Sequence, residues 1–111
     1  MEIKQGEIYL SDLNPVKGHE HAGYRPVLVI QNDILNQYLS TVVILPITSN
    51  LKHKENLTVY FLSNEASSMK DDSLALLFQI RTIDKLRLKK KVGEVSQSEF
   101  YKIKRKMNNI F

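Results

Sequence analysis

Two short apolar runs dominate the folding possibilities of this 111-residue chain: Val27-Leu28-Val29-Ile30 and Thr41-Val42-Val43-Ile44-Leu45-Pro46-Ile47. Both are rich in β-branched residues and neither alternates with polar positions, the pattern of strands buried on both faces. Pro26 has no N–H to give to a ladder, so it is expected as the first residue of the first strand. It also biases Arg25, the residue before it, towards an extended backbone. The run ends at Asn32-Asp33, a turn signal. An arginine is thereby held at the mouth of a rigid strand, beside a glycine-containing loop. Its planar fork of donors matches phosphate oxygens, which makes it a natural phosphate ligand. On this stretch alone, an arginine paired with a carboxylate at a strand edge is an equally simple reading.

The remaining chain supplies more short strands. Glu7 to Leu13 reads as a first strand, closed by the turn signal Asn14-Pro15. Residues 15–24 form a polar loop longer than a hairpin connection, which points to a functional or mobile segment. Asp33 to Leu39 fits a short helical turn capped by Asn32 or Asp33. Leu57 to Leu62 is a third apolar strand, and 63–72 a polar loop with one helical turn. Ser73 to Ile83 reads as one long strand, with Tyr9, Tyr60 and Phe61 expected in the core, and Val92 to Val95 as a short last one. Ser96-Gln97-Ser98-Glu99 is a capping box that opens a helix whose Phe100, Ile103, Met107 and Ile110 share one face. Five or six strands with one terminal helix predict a single domain over 1–111. Its fold class is mainly β (α+β): a small, strongly bent antiparallel sheet or SH3-like open barrel with peripheral short helices.

Composition narrows the setting. No apolar stretch approaches the roughly 18 residues of a membrane span, and Met1 to Gln5 lacks the apolar core of a signal peptide. The chain has no cysteine, so disulfides and thiolate zinc sites are out, and a reduced cytoplasm is the simplest home. The net charge of +4 is unevenly spread: residues 81–111 carry ten of the sixteen Lys/Arg and three of the twelve Asp/Glu. A basic terminal third suits a polyanion such as nucleic acid, although a solvated helix explains part of it.

No Gly-Lys-Ser/Thr phosphate loop, GxGxxG or GxSxG is present. His19, His21 and His53 are the only side chains whose ordinary pKa lies near neutrality. The His19/His21 pair has no third ligand at a fixed spacing, so it makes a poor metal site, and no metal or cofactor is expected. If the two strongest strands are antiparallel neighbours, Arg25 at the start of one meets Thr48 and Ser49 at the end of the other. A guanidinium with hydroxyls makes a phosphate-binding cluster. Turn hydrogen bonds are the plainer role for Thr48 and Ser49.

Four ordered segments carry a resemblance: Gly6-Glu7-Ile8-Tyr9; Asn14-Pro15-Val16-Lys17-Gly18-His19-Glu20-His21-Ala22-Gly23-Tyr24-Arg25-Pro26-Val27-Leu28-Val29; Leu45-Pro46-Ile47-Thr48-Ser49-Asn50; and Gln79-Ile80-Arg81-Thr82-Ile83-Asp84-Lys85. Together they resemble the MazF/PemK family of toxin ribonucleases over nearly the whole chain. The resemblance implies a bent β-barrel that forms homodimers and cuts single-stranded RNA at short sequences without a metal. A cognate antitoxin would neutralise it. It assigns catalysis to Arg25 and Thr48, and RNA contacts to Lys17, His19, Glu20, Ser49, Asn50 and Gln79, with loop 15–24 over the groove. Three positions depart from the family pattern. His19 and His21 stand where Ser and Gln are frequent, and Phe78 stands where an acid is frequent.

The implied chemistry follows from first principles. Without a metal, the substrate's own 2′-OH attacks the adjacent phosphorus, and the enzyme must stabilise the charge that develops. Arg25 suits that role and does not suit a general base, because guanidinium stays protonated. Proton donation to the leaving 5′-oxygen is a further option for Arg25, and Thr48 would orient the phosphate. Glu20 or a loop histidine is the candidate acceptor for the 2′-OH proton. Need for the 2′-OH would spare DNA. Two other functions compete: a same-fold toxin that poisons a protein such as gyrase, and a small barrel that binds RNA without cutting it.

Overall fold

The computed structural model describes residues 2–13 and 24–111. Seven strands form one antiparallel sheet: β1 (Glu7–Asp12), β2 (Tyr24–Val29), β3 (Thr41–Thr48), β4 (Val59–Leu62), β5 (Ser73–Leu76), β6 (Arg81–Asp84) and β7 (Leu88–Glu94). Their order is β4-β5-β3-β2-β1-β7, with β6 also on β3. Three helices accompany them: α1 (Asp33–Tyr38), α2 (Asn64–Ser67) and α3 (Gln97–Asn108). The expected mainly β, open and bent architecture is what forms.

The two apolar runs lie where their patterns put them, because each serves two cores. Leu28 of β2, with Leu45 and Ile47 of β3, enters one cluster together with Ile8, Leu62, Leu77 and Ile103. Val27, Val29, Val42 and Ile44 enter a second cluster with Tyr9, Ile83 and Leu88. Alternate side chains of one strand point to opposite faces, so a non-alternating run is what a sheet with apolar packing on both sides needs. Full burial of each such side chain stabilises by about 1.5–3 kcal/mol. Helix α3 covers the first cluster through Ile103, with Phe100, Met107 and Ile110 packed against it. Ser96 Oγ caps this helix by accepting from Glu99 N at 3.1 Å. The Glu99 carboxylate, in turn, accepts from Tyr60 OH at 2.6 Å and ties α3 to β4.

Some expectations are corrected. Ser73 to Ile83 is two strands separated by a 3-10 turn over Leu77–Gln79. The cause is register. β6 pairs Ile44 with Arg81, and continuing that register would set Ile47 opposite Phe78. Ile47 instead pairs with Ala75, so three residues are looped out. Pro26 is the third residue of β2, not the first. It pairs with Leu10 of β1, while pairing to β3 begins only at Val27; up to Pro26, β2 thus has a strand on one side only, a setting proline tolerates. The last strand starts at Leu88, earlier than expected, because its exposed Lys89, Lys90 and Lys91 look unlike a strand in sequence. Phe61 is exposed rather than core, whereas Tyr9 is buried.

Gly93 is required by packing. A Cβ there would lie 2.4 Å from Ser67 O and 2.7 Å from Met69 Cγ. The backbone of α2's last turn therefore rests directly on β7.

Candidate functional site

The register of β2 on β3 builds the site. Val27 faces Pro46 where the antiparallel ladder begins, so the start of β2, with Arg25, and the end of β3, with Thr48, lie at one rim and line one cleft. Both side chains then share a face of the sheet. A cleft of about 270 Å³ opens at that rim, with Arg25, Thr48, Asn50 and Gln79 among its walls. Leu74, Leu76 and Val59 add apolar surface to it. These come from β5 and β4, because Thr48 pairs with Leu74 and Leu76 with Val59.

Arg25 is exposed. Among the described residues its guanidinium makes no hydrogen bond or ion pair, so the strand-edge carboxylate of the plainer reading is absent there. Among the described residues nothing occupies its donors. Thr48 is half-buried, and its Oγ1 accepts from Asn50 N at 3.1 Å. That bond uses a lone pair and leaves the hydroxyl proton to donate elsewhere. Asn50 Oδ1 accepts from Lys52 N at 3.0 Å, which shapes the start of the loop after β3. Asn56 closes that loop by accepting from Thr58 N at 2.9 Å and from Thr58 Oγ1 at 2.8 Å.

Of the residues expected from sequence, Arg25, Thr48, Asn50 and Gln79 come together. Ser49 does not join them. It lines a separate cavity of about 380 Å³ on the opposite side, with Leu10, Pro26, Ile47, Met69 and Val92. Lys17, His19, Glu20 and His21, and with them the loop 15–23, lie outside the described residues. Sequence reasoning missed His53, Asn56 and Phe78 as walls of the cleft. In the sequence His53 stands out only as one of three histidines and Phe78 only as a departure from the family pattern, and nothing marks Asn56.

One strand away from β2, a polar knot ties β1 to β7. Glu7 Oε1 accepts from Lys4 N and Tyr9 OH, each at 2.8 Å, and Glu7 pairs with Lys91 at 3.1 Å. Burial alone would raise the Glu7 pKa, but these bonds and the Lys91 charge together hold it below the ordinary carboxylate value. Burial, then the Glu7 carboxylate, pushes the Tyr9 hydroxyl up to about 12.

A guanidinium that is exposed and unpaired among the described residues, in one cleft with a hydroxyl and two side-chain amides on a bent antiparallel sheet, defines a small β protein with a cleft whose chemistry suits an anion. Comparison with known proteins makes the class specific. Residues 4–111 match the model of the PemK-like, MazF-like toxin of type II toxin-antitoxin systems, and the chain belongs to that family. It is 41% identical over 101 residues to a protein from Staphylococcus epidermidis named endoribonuclease MazF, covering 91% of this chain and 84% of that one. Solved structures share the fold. MazE–MazF from Deinococcus radiodurans superposes with a TM-score of 0.82 at 20% identity, covering 99% of this chain and 96% of that one. An endoribonuclease in complex with its cognate antitoxin from a mycobacterial species gives 0.74 at 21%, covering 97% and 91%.

Proposed function

We propose that this chain is a sequence-specific endoribonuclease toxin that cuts single-stranded RNA without a metal, with Arg25 and Thr48 as its catalytic residues. The observation that carries the reading is the unpaired Arg25 guanidinium in one cleft with Thr48. Family membership and 41% identity to a protein named endoribonuclease support it.

In this reading the 2′-oxygen forms a bond to the adjacent phosphorus while the bond from phosphorus to the 5′-oxygen breaks. Arg25 pairs with the non-bridging oxygens as their charge grows, and Thr48 donates its hydroxyl proton to orient the phosphate. The 2′-OH proton passes to Glu20 or a loop histidine, and a proton goes to the departing 5′-oxygen. Products are a 2′,3′-cyclic phosphate and a 5′-hydroxyl. Asn50 and Gln79 contact the RNA from the cleft walls; Lys17, His19 and Glu20 do so from the loop that precedes β2. The toxin acts in the cytoplasm as a homodimer and is neutralised by a cognate antitoxin protein.

The test is incubation of purified protein with a long single-stranded RNA in EDTA, beside Arg25→Ala. Wild type cuts at a few sites and leaves 5′-hydroxyl ends, whereas the variant binds and does not cut. A wild type that leaves RNA intact, or that needs a metal, sinks the mechanism. RNA bound but never cut would assign the chain to the non-catalytic barrels, and no RNA binding would leave a protein target such as gyrase.

A further inference from the structure

We propose that Phe78 is a stacking platform for one base of the RNA, and that Asn50 and Asn56 beside it select a base with keto oxygens, uracil or guanine. This rests on the single-stranded RNA substrate proposed above and assigns one base-binding subsite within the same cleft.

The first observation is the ring itself. The three-residue bulge between β5 and β6 turns Leu77 fully inward and leaves Phe78 52% exposed. Phe78 adds nothing to either core, and it lines the cleft that also holds Arg25. An aromatic face held out in the same cleft as a guanidinium that is unpaired among the described residues is the pairing that single-stranded nucleic acid uses, base on ring and phosphate on arginine. The cleft's volume of about 270 Å³ is just under the roughly 300–1,000 Å³ of drug-sized ligand pockets. It suits one base, with the phosphate left at the rim.

The second observation is the donor state of the walls. A backbone N–H can only donate, so the atom of Asn50 facing Lys52 N, and the atom of Asn56 facing Thr58 N, must each be the amide oxygen. Among the described residues neither NH2 group has a partner, so both remain as donors. Two donor groups complement a base edge of acceptors. Uracil offers O2 and O4, and guanine offers O6 and N7. At the edge where uracil shows O4 and guanine O6 and N7, cytosine and adenine carry an exocyclic amine, which meets these amides donor to donor.

The test compares full-length wild type with Phe78→Ala, Phe78→Leu and Phe78→Trp. One readout is steady-state cleavage with all cut sites sequenced; the other is anisotropy of a labelled, uncleavable 2′-deoxy-substituted single strand carrying a cut-site sequence. Phe78→Ala is expected to raise KM and Kd about five- to hundredfold, the worth of one stacked base, with kcat within about threefold. Phe78→Trp restores binding and Phe78→Leu does not, and that pair decides the matter even if the alanine variant folds poorly. Asn50→Asp and Asn56→Asp keep the capping oxygen and remove the donors. Uniform weakening reports their added charge, whereas loss of keto-base preference at one position of the cut sequence supports the proposal. Leucine binding as well as phenylalanine, or an unchanged Kd in Phe78→Ala, overturns the platform; so does a Phe78→Ala whose only defect is altered self-association, which would assign the ring to a protein contact. An unchanged base preference in both Asp variants overturns the selection. A wild type that binds the strand through Phe78 but cuts no RNA counts against the nuclease reading alone.

Discussion

Two cavities flank the rim where β2 meets β3, and neighbouring residues of the same strands open onto different ones. Arg25 and Thr48 face the smaller cleft, where seven of the eleven lining residues are polar or charged; Pro26, Ile47 and Ser49 face the larger one, where five of the nine are apolar. Size does not mark the functional side. What separates them is the two-residue period of a strand, which sends successive side chains to opposite faces. In the proposed reading one face of the rim serves chemistry and the other packing, within a single step along the backbone.

That contrast can be broken most directly at Arg25. Arg25→Ala should lower kcat about a hundred- to thousandfold, the usual loss when a donor to developing negative charge is removed, with the melting temperature unchanged within error. A variant that still cuts near the wild-type rate would remove the cleft from catalysis. Thr48→Val keeps the shape and deletes the donor; a loss of about tenfold to a hundredfold in kcat is expected from single-turnover kinetics. On the packing side the pattern should invert. Gly93→Ala, next to the cavity-lining Val92, drives a Cβ against Ser67 O and should cost about 1–3 kcal/mol in denaturant unfolding, while kcat at a temperature well below the transition stays near wild type.

Glu7→Gln gives a smaller, pH-dependent effect. Because the folded pKa of Glu7 is lowered, its stabilisation is fully present above the ordinary carboxylate value and is lost as pH falls through the lowered one. The variant should be about 1–2 kcal/mol less stable at pH 7, and the gap should narrow as the pH is taken down through 4 towards 2 in a melting series. A gap of constant size across that series would contradict the ionised knot. Ser49→Ala should be the mildest, with cleavage within about twofold of wild type. A large loss there would place RNA on both faces of the rim and erase the contrast.

Much of this was legible beforehand because its causes are local. β-branched apolar runs flagged β2 and β3, and Ser96 with Glu99 flagged the start of α3. The Lys17-to-Pro26 run, with Thr48-Ser49-Asn50, carried the family resemblance. The misreadings share one cause. The break at Leu77–Gln79 is a register mismatch between two segments that pair with different parts of β3, and no property of Leu-Phe-Gln announces it. Lys89-Lys90-Lys91 reads as a solvated charge run, yet β1 holds it as strand, with Lys91 paired to Glu7 and Glu94. Glu99 looked committed to its own helix cap, but Tyr60 claims its carboxylate.

Strand character, helix caps and family are written in neighbouring residues, since propensity and capping act within a turn or a pleat. That Arg25 shares a cleft with Thr48, with no carboxylate among the described residues to quench it, is a consequence of how the strands pair, here β2 with β3. So is the approach of His53, Asn56 and Phe78 from two other segments of the chain. Register is set by which apolar faces pack best across the whole sheet, so those neighbours exist only once the tertiary structure has formed.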